Sequence, residues 1–142
     1  MTRVVVDASV LVACAISDGK ARSTLLSASS VDFFAPAFVL DEFKRHIPKI
    51  IVLSGVAPPI LSALAEDLFA RVRTVSREGY ANALPKARKL VEMAHANGGE
   101  DYVALAIAID APIWTYDKDF RRIKTTRLIS REDIEQIGGR TL

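Results

Sequence analysis

Residues 98–120 read GGEDYVALAIAIDAPIWTYDKDF. The glycine pair stops whatever precedes it, and residues 101–109 are apolar almost all round, the mark of a helix buried on every side. Pro112 then opens a strand over residues 112–116. Where that strand should pass into a neutral turn, the chain instead sets Asp117 and Asp119 around Lys118, just before Phe120. Helix, strand and strand-end acid make a unit that the rest of the chain repeats in style. Upstream, residues 3–6 form a β-branched run suited to a buried strand, and Asp7-Ala8-Ser9 leads into a helix over 10–16. A second strand over 31–35 exits at Pro36. A helical pattern runs from residue 37, disturbed at Pro48, and another starts after Pro58-Pro59, where proline suits a first turn. Residues 71–75 alternate as a strand, and 83–96 are helical up to Asn97-Gly98-Gly99. Downstream come a basic helical turn, a strand over 126–129 and a helix over 131–137. Strands and helices alternate throughout, so the fold class is α/β: a three-layer α/β/α sandwich around a central, mainly parallel sheet. With no repeat, low-complexity tract or linker, one domain over residues 1–142 is expected.

Composition agrees with that frame. Of 142 residues, 50% are apolar and 25% charged, which suits a chain able to bury a core. No apolar run reaches the roughly 18 residues of a membrane helix, and the N-terminus carries no signal-cleavage pattern. A soluble, cytoplasmic protein without membrane contact is therefore expected. Cys14 is the only cysteine, inside VLVACAI, which rules out disulfides and multi-thiolate metal sites and reads as a small buried hydrophobe.

In a parallel sheet, ligands collect beyond the carboxyl ends of the strands. Asp7 follows Val4-Val5-Val6 directly, and Asp117 follows residues 113–116. Taken singly, each reads equally well as a helix cap. Glu42 can be placed by angle: at roughly 100° per residue from Phe38, Val39 falls at about 100°, Glu42 at about 40°, Phe43 at about 140° and Asp41 at about 300°. Glu42 thus lies inside an apolar stripe from which Asp41 points away. A carboxylate there needs a cation, either a basic side chain or a metal. Asp101 opens the apolar helix, where capping alone would account for it, although Glu100 beside it would serve the helix dipole equally well. Together the four are harder to dismiss. Like charges about 4 Å apart repel by about 4 kcal/mol at an effective dielectric near 20, so such a cluster requires a cation or shared protons. All-oxygen donors suit Mg²⁺ or Mn²⁺ rather than zinc.

The run Val4-Val5-Val6-Asp7-Ala8-Ser9, the LDEF that contains Glu42, and residues 98–120 together resemble the PIN-domain nucleases, including the VapC toxins of prokaryotic toxin–antitoxin pairs. The likeness spans nearly the whole chain and is most specific in its C-terminal block. It implies a metal-dependent ribonuclease in which Asp7, Glu42, Asp101 and Asp117 hold one or two Mg²⁺ or Mn²⁺ ions. Ser9, Thr115 and Asp119 match positions that support the metal's ligands in that family. RNA as substrate, an antitoxin protein as partner and pairing into a homodimer follow from the resemblance alone.

Charge is consistent with a polyanionic substrate. The net charge is only +2, but setting the four acids aside leaves 13 acids against 19 bases. Lys118, Arg121, Arg122 and Lys124 follow Asp117 closely and form either a rim for a phosphate backbone or a solvated helix face. Of the two histidines, His46 falls near Glu42 on the helix, at about 80° by the same count, and reads either as a contact for substrate or as structural, while His95 fits a helix C-terminus. No Ser-His-Asp or Cys-His set competes with the acids. A receiver-like signalling domain would want paired acids after its first strand, whereas Asp7 is followed by Ala8-Ser9. The remaining alternative is a PIN-like module that binds RNA or protein without cleaving.

Overall fold

Among the described residues, four strands form one sheet in the order β3-β2-β1-β4, each neighbouring pair parallel. They are β1 (Thr2–Val6), β2 (Val31–Pro36), β3 (Val72–Val75) and β4 (Ile113–Trp114). The structure is a computed structural model that describes residues 1–124 and 126–139. Because β1 is an inner strand covered on both faces, it reads as a continuous apolar run, and Val4, Val5 and Val6 are all 0% exposed. Burying each valine side chain contributes about 1.5–3 kcal/mol.

Among the described residues, eight α-helices flank the sheet: α1 (Ala8–Ile16), α2 (Lys20–Ser27), α3 (Val39–Arg45), α4 (Ile47–Ser54), α5 (Pro58–Ala70), α6 (Leu84–Met93), α7 (Glu100–Ile109) and α8 (Arg131–Gly139). α7 lies across β1 and β2 with α6 against it, and α1 packs with α2 to α5. The result is the three-layer arrangement expected from the alternating pattern. Cys14, inside α1, is fully buried, and burial pushes its thiol up to about 12. Among the described residues, no single helix is long and apolar enough to cross a membrane.

Three local features differ from expectation. α2 was not anticipated, since KARSTLLS has little apolar periodicity. It is held from outside: Leu25 is buried, Arg22 donates to the Cys14 carbonyl at 2.7 Å, and Thr24 donates to Glu135 of α8 at 3.0 Å. The helical pattern from residue 37 is two helices that meet at His46, with Pro48 in the first turn of α4, where its missing N–H costs nothing. The strand expected over 126–129 is reduced to a single parallel bridge, Ile113 to Leu128. Its partner β4 is only two residues long, and Leu128 is 41% exposed, so little apolar burial draws the segment into the sheet.

Candidate active site

The sheet order puts a switch point between β1 and β4, with β2 on the other side of β1. Asp7 stands at the end of β1, where its backbone N–H donates to the Trp114 carbonyl at 3.0 Å. Asp7 is 6% exposed. Oδ2 accepts from Ser9 Oγ at 2.7 Å and from Thr115 Oγ1 at 2.8 Å, whereas Oδ1 has no hydrogen-bond partner among the described residues. Asp7 is the N-cap residue of α1 yet makes no capping bond through its side chain, so capping does not account for it. The same two hydroxyls fix the end of β4. Ser9 Oγ accepts from the Tyr116 N–H at 3.0 Å, and Thr115 Oγ1 from the Asp117 N–H at 2.9 Å. Asp117 Oδ1 in turn accepts from the Asp119 N–H at 3.0 Å, the capping role expected of it.

Asp7, Glu42 and Asp117 line one cavity of about 390 Å³, joined there by Ser9, His46 and Lys49. Glu42 is half-buried and Asp41 exposed, as the helical angles imply. No ion pair reaches Glu42 among the described residues; its Oε1 accepts instead from the Tyr102 hydroxyl at 3.0 Å. Burial raises the Glu42 carboxyl above its ordinary value, and the nearby charges of Asp7 and Asp101 add to the rise, against the pull of Tyr102 and Arg45. Burial likewise raises the phenol of Tyr102, with Glu42 and Asp7 contributing, so it stays a donor at neutral pH.

Asp101 borders a neighbouring cavity, also about 390 Å³, with Ala37, Phe38, Arg77 and Tyr80. Its Oδ2 accepts from the Tyr80 hydroxyl at 2.6 Å and lies 3.6 Å from Arg77 Nε. Among the described residues, no three of the His, Cys, Asp and Glu side chains are grouped to hold a metal ion. The donor chemistry nonetheless fits a hard divalent cation. All four acids offer oxygen, and each has one oxygen held by a donor and one without a hydrogen-bond partner among the described residues.

The basic residues divide. Lys118 and Arg121 are exposed and carry no ion pair among the described residues. Arg122 pairs with Asp119, which also accepts from the Asn97 N–H at 3.3 Å. Arg122 and Lys124 border a small cleft with Leu90, Met93 and Ala94 rather than the acidic cavity. His46, placed near Glu42 by the helical angles, is exposed and lines that cavity. Sequence reasoning passed over Lys49, Arg77, Tyr80 and Tyr102. Only Tyr102 left a signal: a phenol on an otherwise aliphatic buried helix needs a partner for its hydroxyl.

A parallel sheet with carboxylates gathered beyond its strand ends defines an α/β protein with an acidic site at its switch point. The family model for the PIN domain matches residues 5–133, and the chain belongs to the PIN-domain family, whose members are generally nucleases. Among solved structures, a chain of the VapBC2 crystal structure from Rickettsia felis, bound to a DNA fragment from its promoter, is similar in fold. The TM-score is 0.67 at 17% identity, over 91% of this chain and 98% of that one. No curated protein matches the sequence.

Proposed function

We propose that the chain is a Mg²⁺- or Mn²⁺-dependent endoribonuclease of VapC type, acting in the cytoplasm as one PIN domain over residues 1–142. The observation that carries this reading is the shared cavity of Asp7, Glu42 and Asp117 at the switch point, with Asp7 anchored by two hydroxyls through one oxygen and open at the other. Asp7, Glu42 and Asp117, with Asp101 from the adjoining cavity, would hold the cation, and Ser9, Thr115 and Asp119 would keep their carboxylates and backbone in place. When bound, a divalent cation supplies charge that shields the phosphate and acidifies a water. In the hydrolysis, water oxygen adds to phosphorus, the bond from phosphorus to one bridging oxygen breaks, and that oxygen takes up a proton. His46 and Lys49 are placed beside the acids to meet the phosphate, and Lys118, Arg121, Arg122 and Lys124 would guide the RNA backbone further out. An antitoxin partner is supported by the likeness to the VapBC2 complex, and a homodimer is the assembly proposed.

Among the described residues, no three of the His, Cys, Asp and Glu side chains stand close enough to hold one metal ion, which favours a second reading, a module that binds RNA or protein without cleaving. One experiment separates the two. Wild-type protein with Mn²⁺ should cleave single-stranded RNA and stop in EDTA, whereas Asp7→Asn, which keeps shape and loses charge, should not cleave although its circular dichroism is native. Cleavage retained by Asp7→Asn would remove the acids from catalysis. No cleavage by wild type in Mn²⁺ or Mg²⁺ would leave the binding module.

A further inference from the structure

Glu42 and Asp101 are each held by a tyrosine that lies far away in sequence or on another element. We propose that Tyr102 and Tyr80 are positioning residues, each fixing one oxygen of Glu42 or Asp101 so that the other oxygen is kept for a divalent cation. The proposal rests on the reading of the four acids as a metal site.

Geometry carries it. Tyr102 is 3% exposed, and its ring is wedged edge-on between Phe38, with centroids 5.7 Å apart, and Phe120, at 6.3 Å. Its hydroxyl therefore cannot swing away from Glu42 Oε1, 3.0 Å distant. Tyr80 is 2% exposed and enters from the segment between β3 and α6 to reach Asp101 Oδ2 at 2.6 Å. Asp7 shows the same design with Ser9 and Thr115 on Oδ2. Three carboxylates on three different elements are thus held by neutral hydroxyls. A lysine or arginine in close contact would fix a carboxylate equally well, but it would neutralise the charge and compete with a cation for it. A hydroxyl orients the group and leaves its charge intact, as donors behind metal-binding carboxylates do. Among the described residues, the one ion pair to Asp101 is from Arg77, longer at 3.6 Å, with the Arg77 side chain 60% exposed.

A tyrosine kept only to satisfy its own buried hydroxyl would show the same bond, so the test must read something that packing does not move. Mn²⁺ binding is measured by titration calorimetry, and the melting midpoint in EDTA is recorded alongside, for wild type, Tyr80→Phe, Tyr102→Phe and Asp7→Asn. The phenylalanine variants keep the rings and lose only the oxygens. Each should weaken Mn²⁺ binding by about 10-fold or more. Their midpoints should stay above the titration temperature, and each variant tests its own carboxylate if the other fails to fold. If wild type binds Mn²⁺, Asp7→Asn does not, and both phenylalanine variants bind as tightly as wild type, the tyrosines are packing residues and the proposal is overturned while the metal site stands. If wild type itself does not bind Mn²⁺, the metal reading falls and takes the proposal with it.

Discussion

Glu42 joins two opposing demands: it sits against the apolar stripe of α3, and it must be ionised to do anything with a cation. Burial, helped by Asp7 and Asp101, raises its folded-state carboxyl above the ordinary 4.5. The native state then holds a proton that the unfolded chain has already lost. Its contribution to stability is complete below the unfolded pKa and disappears as pH rises through the raised folded value. Urea unfolding in EDTA should therefore show wild type losing stability across that window, and Glu42→Gln, which cannot titrate, losing less. Equal losses would mean that Glu42 is not what senses pH there. The placement of Glu42 was legible from the sequence, because 100° per residue sets it among Phe38, Val39 and Phe43 while Asp41 faces water. Its partner was not, because Tyr102 lies 60 residues away and only the packing of α7 on the sheet brings the two together.

The start of α7 depends on Gly99. Its φ of +93° suits glycine, and a Cβ there would lie 3.0 Å from Phe120 Cζ. The same Phe120 ring backs Tyr102, so a glycine in the backbone sets where a phenol meets a carboxylate. Gly99→Ala should cost about 1–3 kcal/mol in urea unfolding, from the backbone strain alone. A loss below a few tenths would show that the turn and ring adjust freely. The elements that the sequence revealed most clearly are those whose own pattern is strong, such as β1 and α7. α2 escaped because its helix is held by Arg22, Thr24 and Leu25 reaching other parts of the fold rather than by its own periodicity. The segment 126–129 failed the opposite way. Its local pattern asks for a strand, but the two-residue β4 offers almost nothing to pair with.

Alternation of strand and helix was enough to anticipate a parallel sheet and therefore the edge at which Asp7 and Asp117 meet. It could not say that Asp101 would face a separate cavity, or that Arg122 would be spent on Asp119, since both depend on side chains from remote elements. That difference shapes what the basic residues should do. Lys118 and Arg121 carry no ion pair among the described residues, and each should contribute one phosphate contact to RNA. Replacing both with alanine should reduce the slope of log binding constant against log salt by about 1.4, at roughly 0.7 per contact on single strands. An unchanged slope would return them to an ordinary solvated face.

The pairing of β4 with β1 also sets when the site can exist. Thr115 meets Asp7 across 108 residues, and the anchoring of Asp7 and the seating of Asp117 both wait for that closure. During synthesis at roughly 5–20 residues per second, β1 emerges long before β4, so the N-terminal acid has Ser9 beside it but stays without the Thr115 hydroxyl for several seconds. Contacts of such long range also slow folding. If the chain is the proposed ribonuclease, a ribosome-bound copy should not cleave the RNA around it until β4 has been delivered, a delay written into the order of the sheet.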